Sequence, residues 1–515
     1  MFRQAAVSRP RSRPASNEYT IPPPVGGLNA RDAISDMPES DALILDNFFP
    51  QPDYVEIRRG YSSHATGLGS AVESVMEWAG PSSRKFFGAA GANIYEVTSS
   101  GAVGAADVSS LSNARWQHVM QATAGGKFLI CVNGADSMRS YDGSSWDTPT
   151  ITGVSSADLI NVFLFKERLF FIEDGTLSAW YLDTKAISGA ATELPLGSVF
   201  KKGGYLLAAG SLTRDGGAGP DDIAAFITTT GEVAIYQGTD PTSLTTWGIV
   251  GLFEIPPPIG KRCLQKAGGD LSVITEGGVI SLNAMLVLDR AAQQKAAITS
   301  KINRLFTNAS RNYRGNFGWD VKSYPRSNMF VVNIPVTENG VQHQYVMNAL
   351  TGAWCRFTGL NGNCFSLYNE DLYFGGNSGT VWKADTGYTD NAGGITADMK
   401  TAFSYLGSRG AVKLAKMVRT HYTSNGSPGI QMDLNVDFGD ADPTSTPTAG
   451  TTVTSAWDSA VWDVDLWGSG DTQHRDWLGA TGLGTAFAVR LRVVTNGANF
   501  TANSFDIISE RGGMV

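Results

Sequence analysis

Residues 168–182 read RLFFIEDGTLSAWYL: an apolar run, a turn built on Glu-Asp-Gly-Thr, and a second apolar run. Two stretches rich in strand-forming residues, separated by so few turn formers, predict a tight β-hairpin. The same unit recurs on both sides. Upstream are KFFGAAGANIYEV from Lys85 and KFLICVNGADSMRSY from Lys127. Downstream are DIAAFITTTGEVAIY from Asp222, DLSVITEGGVISL from Asp270, NMFVVNIPVTENGVQHQYVMN from Asn328 and DLYFGGNSGTVWKAD from Asp371. Their starting positions are spaced by about 42, 41, 54, 48, 58 and 43 residues, near the period of about 40–50 that marks the blades of a β-propeller. A lone hairpin is marginal in water, whereas blades stacked around an axis cover one another's faces. The expected fold is therefore all-β, a β-propeller of six or seven blades over residues 62–400. Two consecutive β-sandwiches are the alternative.

Composition agrees with an all-β chain. The 515 residues hold 59 Gly beside 24 Phe, 16 Tyr and 12 Trp, the balance expected of aromatic-rich strands joined by many tight turns. Charged residues make up only 17%, below the usual quarter, which points to extensive subunit contacts. The formal charge of −8 lacks the general attraction that phosphate-backbone binders use, so tight DNA binding is not expected. Cys131, Cys263, Cys355 and Cys364 form no CxxC pair and read as buried free thiols. No apolar run approaches the 18 or so residues of a membrane span, and the basic, polar N-terminus lacks the apolar core of a secretory signal.

Outside the hairpins the character changes. Residues 1–20 carry four arginines and two prolines with little to bury, and are expected to form an extended basic arm. Residues 21–61 are heavily punctuated and read as an irregular N-terminal segment, with a short helix over Glu39–Asn47 and a strand over Tyr54–Arg58. The stretch 288–312, LDRAAQQKAAITSKINRLFTNASRN, is rich in Ala, Gln and Lys, with Ala297, Ile298, Ile302, Leu305 and Phe306 at helical intervals. It predicts a helical insertion between two blades. Residues 401–515 return to alternating strands and predict a C-terminal β-sandwich-like domain with a polar loop from Asp442 to Ser455.

Few residues suggest chemistry. There is no GxxxxGK[ST] loop and no GxGxxG between a strand and a helix. His64, His118, His343, His421 and His474 stand singly, without metal-ligand spacing. The acidic run DFGDAD, Asp437–Asp442, has the ligand type for a hard cation but lacks the rest of an EF-hand loop, and reads as a solvated turn. RDGGAGPDD, Arg214–Asp222, has the composition of an acidic catalytic loop and equally that of a blade connection. Trp146, Trp180, Trp247, Trp354 and Trp382 could stack on sugars, but tryptophan at the end of a blade more often packs. YDGSSW, Tyr141–Trp146, reads as a turn that pins strands. No catalytic residue, cofactor or metal is expected.

Three stretches carry a resemblance. GGLNARDAISDMPESDALILDNFFPQPDYVEIRRGY (residues 26–61), QYVMNALTGAWCRFTGLNG (344–362) and LYFGGNSGTVWKADTG (372–387) resemble a family of structural proteins of tailed bacteriophages. The similarity extends to the segment around KMVRTHY (416–422), and in size and architecture the chain is most similar to the tail nozzle, or tail tubular protein B, of short-tailed phages. It is shorter than the best-known members. The resemblance implies a non-enzymatic virion protein: a homohexameric ring at the distal end of the tail, bound to a tail adaptor and to fibres or spikes, closing the channel and then passing DNA without binding it tightly. Arg9, Arg11 and Arg13 of the basic arm are then the candidate adaptor contacts. The alternatives are a carbohydrate-binding or depolymerising propeller, or another virion part such as a stopper or baseplate hub.

Overall fold

The computed structural model describes residues 16–215, 220–243, 245–285, 292, 295–443, 447–448 and 471–514. The chain is nearly all β and divides into two compact units. The larger comprises residues 28–31 and 58–395; the other takes residues from both ends of the chain, 32–57 and 396–515 together with the first 27.

Along the larger unit, antiparallel strands fall into seven successive sheets or parts of sheets in chain order. The first contains Val72–Ala79, Arg84–Ala90 and Asn93–Glu96, and the second Gln117–Thr123, Gly126–Val132, Arg139–Tyr141 and Trp146–Asp147. The third runs Leu159–Phe165, Arg168–Glu173, Ser178–Tyr181, Thr192–Pro195, and the fourth Leu206–Asp215, Pro220–Thr228, Glu232–Gly238, Trp247–Glu254. Three strands make the fifth, Leu264–Ala267, Asp270–Thr275 and Gly278–Ser281. The sixth comprises Asp320–Tyr324, Met329–Pro335, Gln342–Asn348 and Trp354–Thr358. The seventh takes Gly362–Tyr368, Asp371–Gly376 and Thr380–Ala384, and its fourth strand is Tyr61–Thr66 from the start of the unit. Each of the seven repeated segments supplies the second and third strands of one sheet.

These hairpins read as unbroken apolar runs because both faces of the sheet are covered. In Arg168–Glu173, Phe170 packs with Phe226, Tyr236 and Trp247 of the fourth sheet, while its neighbour Phe171 faces Ile130 and Val132 of the second. Leu129 and Cys131 in turn join Phe87 of the first sheet. Successive residues point to opposite faces of a strand, so one hairpin fills two interfaces. The first strand of every sheet contacts the first strand of the next, and that of the seventh contacts that of the first. Several hairpins turn on two residues with positive φ, Lys166-Glu167 (46° and 61°) and Asn369-Glu370 (49° and 67°), the geometry that matches strand twist.

Arg58 fastens the two ends of this unit. Its guanidinium is 1% exposed and donates to both oxygens of Asp390 at 2.8 and 2.6 Å, and to the carbonyl of Thr358 at 2.9 Å.

Between the fifth and sixth sheets lie a single helical turn, Leu282–Met285, a 3-10 turn, Ser300–Ile302, and a helix, Asn303–Tyr313. Phe306 and Ala309 face inward from that helix, and the Phe306 ring meets Trp319 edge-on at 5.9 Å. The earlier part of the expected insertion, residues 288–291 and 293–294, lies outside the described residues.

The smaller unit corrects the expected boundaries. One of its sheets contains Ala411–Ser424, Thr501–Met514, Trp477–Gly484 and Thr472–His474 together with Ser16–Ile21, Phe48–Pro50 and Val55–Ile57. Residues 16–20, expected in the arm, are thus strand, paired from Ser16↔Glu510 to Ile21↔Phe505. The helix expected over Glu39–Asn47 is instead the strand Asp41–Asp46, in register with residues 398–401. Six residues of DALILD are too few to show a period, and a distant partner decides. The other sheet strands here are Phe487–Thr495 and Gly429–Val436, which pair along their lengths. Residues 21–61 are therefore no separate irregular segment, and a domain starting at residue 401 leaves out strands that complete its sheets.

Candidate functional site

Most residues nominated from sequence are engaged in building the fold. Arg9, Arg11 and Arg13 lie outside the described residues, as do residues 216–219 of the stretch Arg214–Asp222, which joins the first two strands of the fourth sheet. Trp354 is fully buried and Trp247 nearly so. Trp146 packs in the core between the first two sheets and Trp180 in that between the second and third. Trp382 packs edge-on against Tyr61 at 5.2 Å. In YDGSSW the Asp142 carboxylate accepts from the amides of Ser144 and Ser145 at 2.7 and 2.8 Å, which pins the turn. All four cysteines are buried and free.

The acidic run Asp437–Asp442 is organised by the protein's own cations. Asp437 accepts from the amides of Thr485 and Ala486 at 2.8 and 3.1 Å. Asp440 pairs with Lys400 at 2.9 Å and Asp442 with Arg490 at 3.2 Å. The Lys400 and Arg490 side chains are only 4% and 5% exposed, and buried cations need such partners. Among the described residues no group of three or more His, Cys, Asp or Glu is arranged to hold a metal ion.

A cluster that the sequence does not advertise sits in the larger unit, where first strands of several sheets converge. Arg262, two residues ahead of the fifth sheet, donates to the carbonyl of Glu73 at 2.7 Å, the hydroxyl of Ser74 at 2.5 Å and the carbonyl of Trp116 at 3.0 Å. It therefore reaches from the fifth sheet to the first and the second. Gln117 makes the return connection, donating to the carbonyl of Lys261 at 2.8 Å. Arg115 bonds Glu73 at 3.0 Å and Glu338, in the hairpin of the sixth sheet, at 2.6 Å. The ring of Phe317 lies 4.2 Å from the Arg115 guanidinium carbon and 5.0 Å from that of Arg262, two cation–π contacts on one ring.

Two cavities flank this crossing. A cavity of about 370 Å³ is lined by Arg115, Lys261, Arg314, Asn316 and Phe317 among others. A smaller one of about 170 Å³ is lined by Ser74, Trp116, His118, Asp320, Lys322 and Cys364. Arg262 and Gln117 line both. Burial, and behind it the charges of Lys322 and Arg262, push the His118 imidazole down to about 3, so it is neutral in ordinary buffers. Burial pushes the Cys364 thiol up to about 12, which leaves it protonated and unreactive. The site can thus hold sheets together and present positive charge.

Each of the three residues that make the crossing stands just before the first strand of a sheet: Arg115 before Gln117–Thr123, Arg262 before Leu264–Ala267, Phe317 before Asp320–Tyr324. That recurring place in the repeat becomes a signal only once the first strands are located, because the sequence marks the second and third strands of each sheet and not the first.

No family model and no curated protein matches the chain. Among solved structures, a computationally designed protein is similar over 63% of this chain and 99% of its own, with 10% identity and a TM-score of 0.37. Raptor from Chaetomium thermophilum is similar over 64% of this chain, with 9% identity and a TM-score of 0.38. The match spans 29% of the Raptor chain.

Proposed function

We propose that the chain is a structural subunit of a short-tailed bacteriophage tail, its nozzle, built on a seven-bladed β-propeller. What carries this reading is how the larger unit is tied. Each sheet's first strand touches the next around a complete cycle. The seventh sheet is completed by Tyr61–Thr66, and Arg58 grips Asp390. Such double fastening of the chain's ends, with Arg262 and Arg115 crossing inside, makes a stiff body suited to bearing load. The resemblance of residues 26–61, 344–362 and 372–387 to phage structural proteins supplies the context, and with it the homohexamer, the adaptor and the passage of DNA.

Exposed apolar residues on edge strands support subunit contacts. Ile249 and Val250, on the outer strand of the fourth sheet, are 48% and 43% exposed. Leu483, on Trp477–Gly484, is 66% exposed and lies opposite Leu414. Edges of this kind are liabilities unless another chain covers them. In this role loops projecting into the lumen of the assembled tube constrict it and move aside on host contact, and no residue is catalytic.

Electron microscopy of purified particles carrying this protein tests the proposal. The expected result is six copies around the tail axis at its distal end. A different copy number or position, or cleavage of host polysaccharide by the isolated protein, overturns it.

A further inference from the structure

We infer that the smaller inner cavity of the larger unit is a binding site for one small oxyanion, of the phosphate or carboxylate type, held between Arg262 and Lys322. The argument begins with charge. Both side chains line the cavity, and neither has a carboxylate within ion-pair distance among the described residues. All three bonds made by Arg262 go to neutral oxygens, those of Glu73, Ser74 and Trp116.

The one carboxylate in the lining, Asp320, is 6% exposed and turned to the backbone. One of its oxygens accepts from the amide of Val321 at 2.9 Å, the other from the amide of Phe365 at 3.1 Å. Arg262, Lys322 and Asp320 therefore leave an excess of one positive charge in a space walled by Trp116, Leu264 and Phe365. Both cations are half-buried, and partly desolvated like charges without a counter-charge are costly, a cost that an anion between them reduces.

Shape and donors agree. A volume of about 170 Å³ takes a tetrahedral oxyanion and a few waters at about 30 Å³ each, and is too small for a nucleotide. The Lys322 ammonium offers a point charge with rotatable donors, and the Arg262 guanidinium, its Nη2 protons given to Ser74 and Trp116, adds its positive charge and the protons it keeps on Nε and Nη1. Gln117 adds a neutral donor at the wall, the second N–H of an amide whose first goes to the carbonyl of Lys261. His118 lines the same cavity and stays neutral across the working range, so it adds no charge of its own. The backbone of Lys322 belongs to the strand Asp320–Tyr324, but its ammonium has no hydrogen-bond or ion-pair partner among the described residues, which leaves its place in the wall for a ligand.

Titration calorimetry of the full chain at one ionic strength, with inorganic phosphate, acetate and chloride as separate arms, tests this site. One phosphate or one acetate per chain supports it, and the better of the two identifies the source as a phosphoryl or a carboxylate group. No binding in either arm, or chloride binding as tightly, overturns it. Lys322→Met should weaken the oxyanion at least about tenfold and Lys322→Arg should restore most of it; unchanged binding by Lys322→Met overturns the assignment. Should Lys322→Met fail to fold, the imidazole resonances of His118 in the wild-type chain decide: they shift on saturation with the oxyanion, and their constancy is the contrary result.

Discussion

The two units are built by opposite strategies. In the larger, sheets follow one another in chain order and neighbours in sequence pair as hairpins, while Tyr61–Thr66 travels far, to Thr380–Ala384. In the smaller, Ser16–Ile21 pairs with a strand some 490 residues away and Asp41–Asp46 with residues 398–401. Local pairing makes a unit legible and quick to assemble; distant pairing hides it and delays it until both ends exist. The difference also predicts where damage should spread. A lesion in the repeated unit should stay between adjacent sheets, while one in the smaller unit should loosen both chain ends together.

The largest effect is expected from Phe226→Ala. Phe226 is fully buried, with the rings of Phe163, Phe170 and Tyr236 at 5.9, 6.4 and 5.9 Å. Removing it leaves a cavity between the third and fourth sheets and costs about 4–5 kcal/mol. Urea unfolding measures the loss, and hydrogen exchange should accelerate in those two sheets and not in Ser16–Ile21. Uniform acceleration across both units would break the comparison.

Arg58→Met comes next. It opens the fastening of the larger unit and strands the partly buried Asp390, a loss of about 3 kcal/mol. Exchange should rise first in Tyr61–Thr66 and its partner Thr380–Ala384. If those amides stay protected while stability falls, the grip of Arg58 on Asp390 does not hold the ends together.

Asp506→Asn is the smallest of the three and sharpens the other side. Asp506 accepts from Thr20, Arg419 and His421 at 2.6, 2.7 and 2.6 Å, joining Ser16–Ile21 and Ala411–Ser424 to Thr501–Met514. Burial works to raise its pKa, and the combined bonds from Thr20, Arg419 and His421 outweigh it, so the carboxyl sits below its usual value. A carboxylate depressed in the folded state stabilises above its unfolded value, near 3.9, and the contribution is lost as pH falls through the folded value. The substitution should cost about 2 kcal/mol at pH 7. The wild-type thermal midpoint should fall towards that of the variant in strongly acidic buffer, and a constant gap between them would refute the assignment.

How much could be read in advance follows from the same contrast. All seven hairpins were visible, because Phe170 and Phe171 must be apolar together when each faces a different neighbouring sheet. Short outer strands such as Trp146–Asp147 and Thr192–Pro195 carry too little pattern to be seen. DALILD misled because its apolar residues fit either period, and Ser16–Ile21 because a polar, half-exposed strand looks like a tail until its partner is known. The inner cluster was invisible for a different reason: Arg115, Arg262 and Phe317 are remote in sequence and gain their meaning only where the sheets bring them together.

The strand Tyr61–Thr66 sets a schedule for synthesis. It leaves the ribosome early, yet the strand it must join is made more than 300 residues later. At about 5–20 residues per second that is a wait on the order of 15–60 s. Throughout that interval six sheets can form behind it while its edge towards Thr380–Ala384 remains unpaired, open to a neighbouring nascent chain. The step that closes the larger unit must wait for residues 380–384, so slowing or stalling the ribosome before residue 380 should yield an open-ended, aggregation-prone chain rather than a shorter stable one.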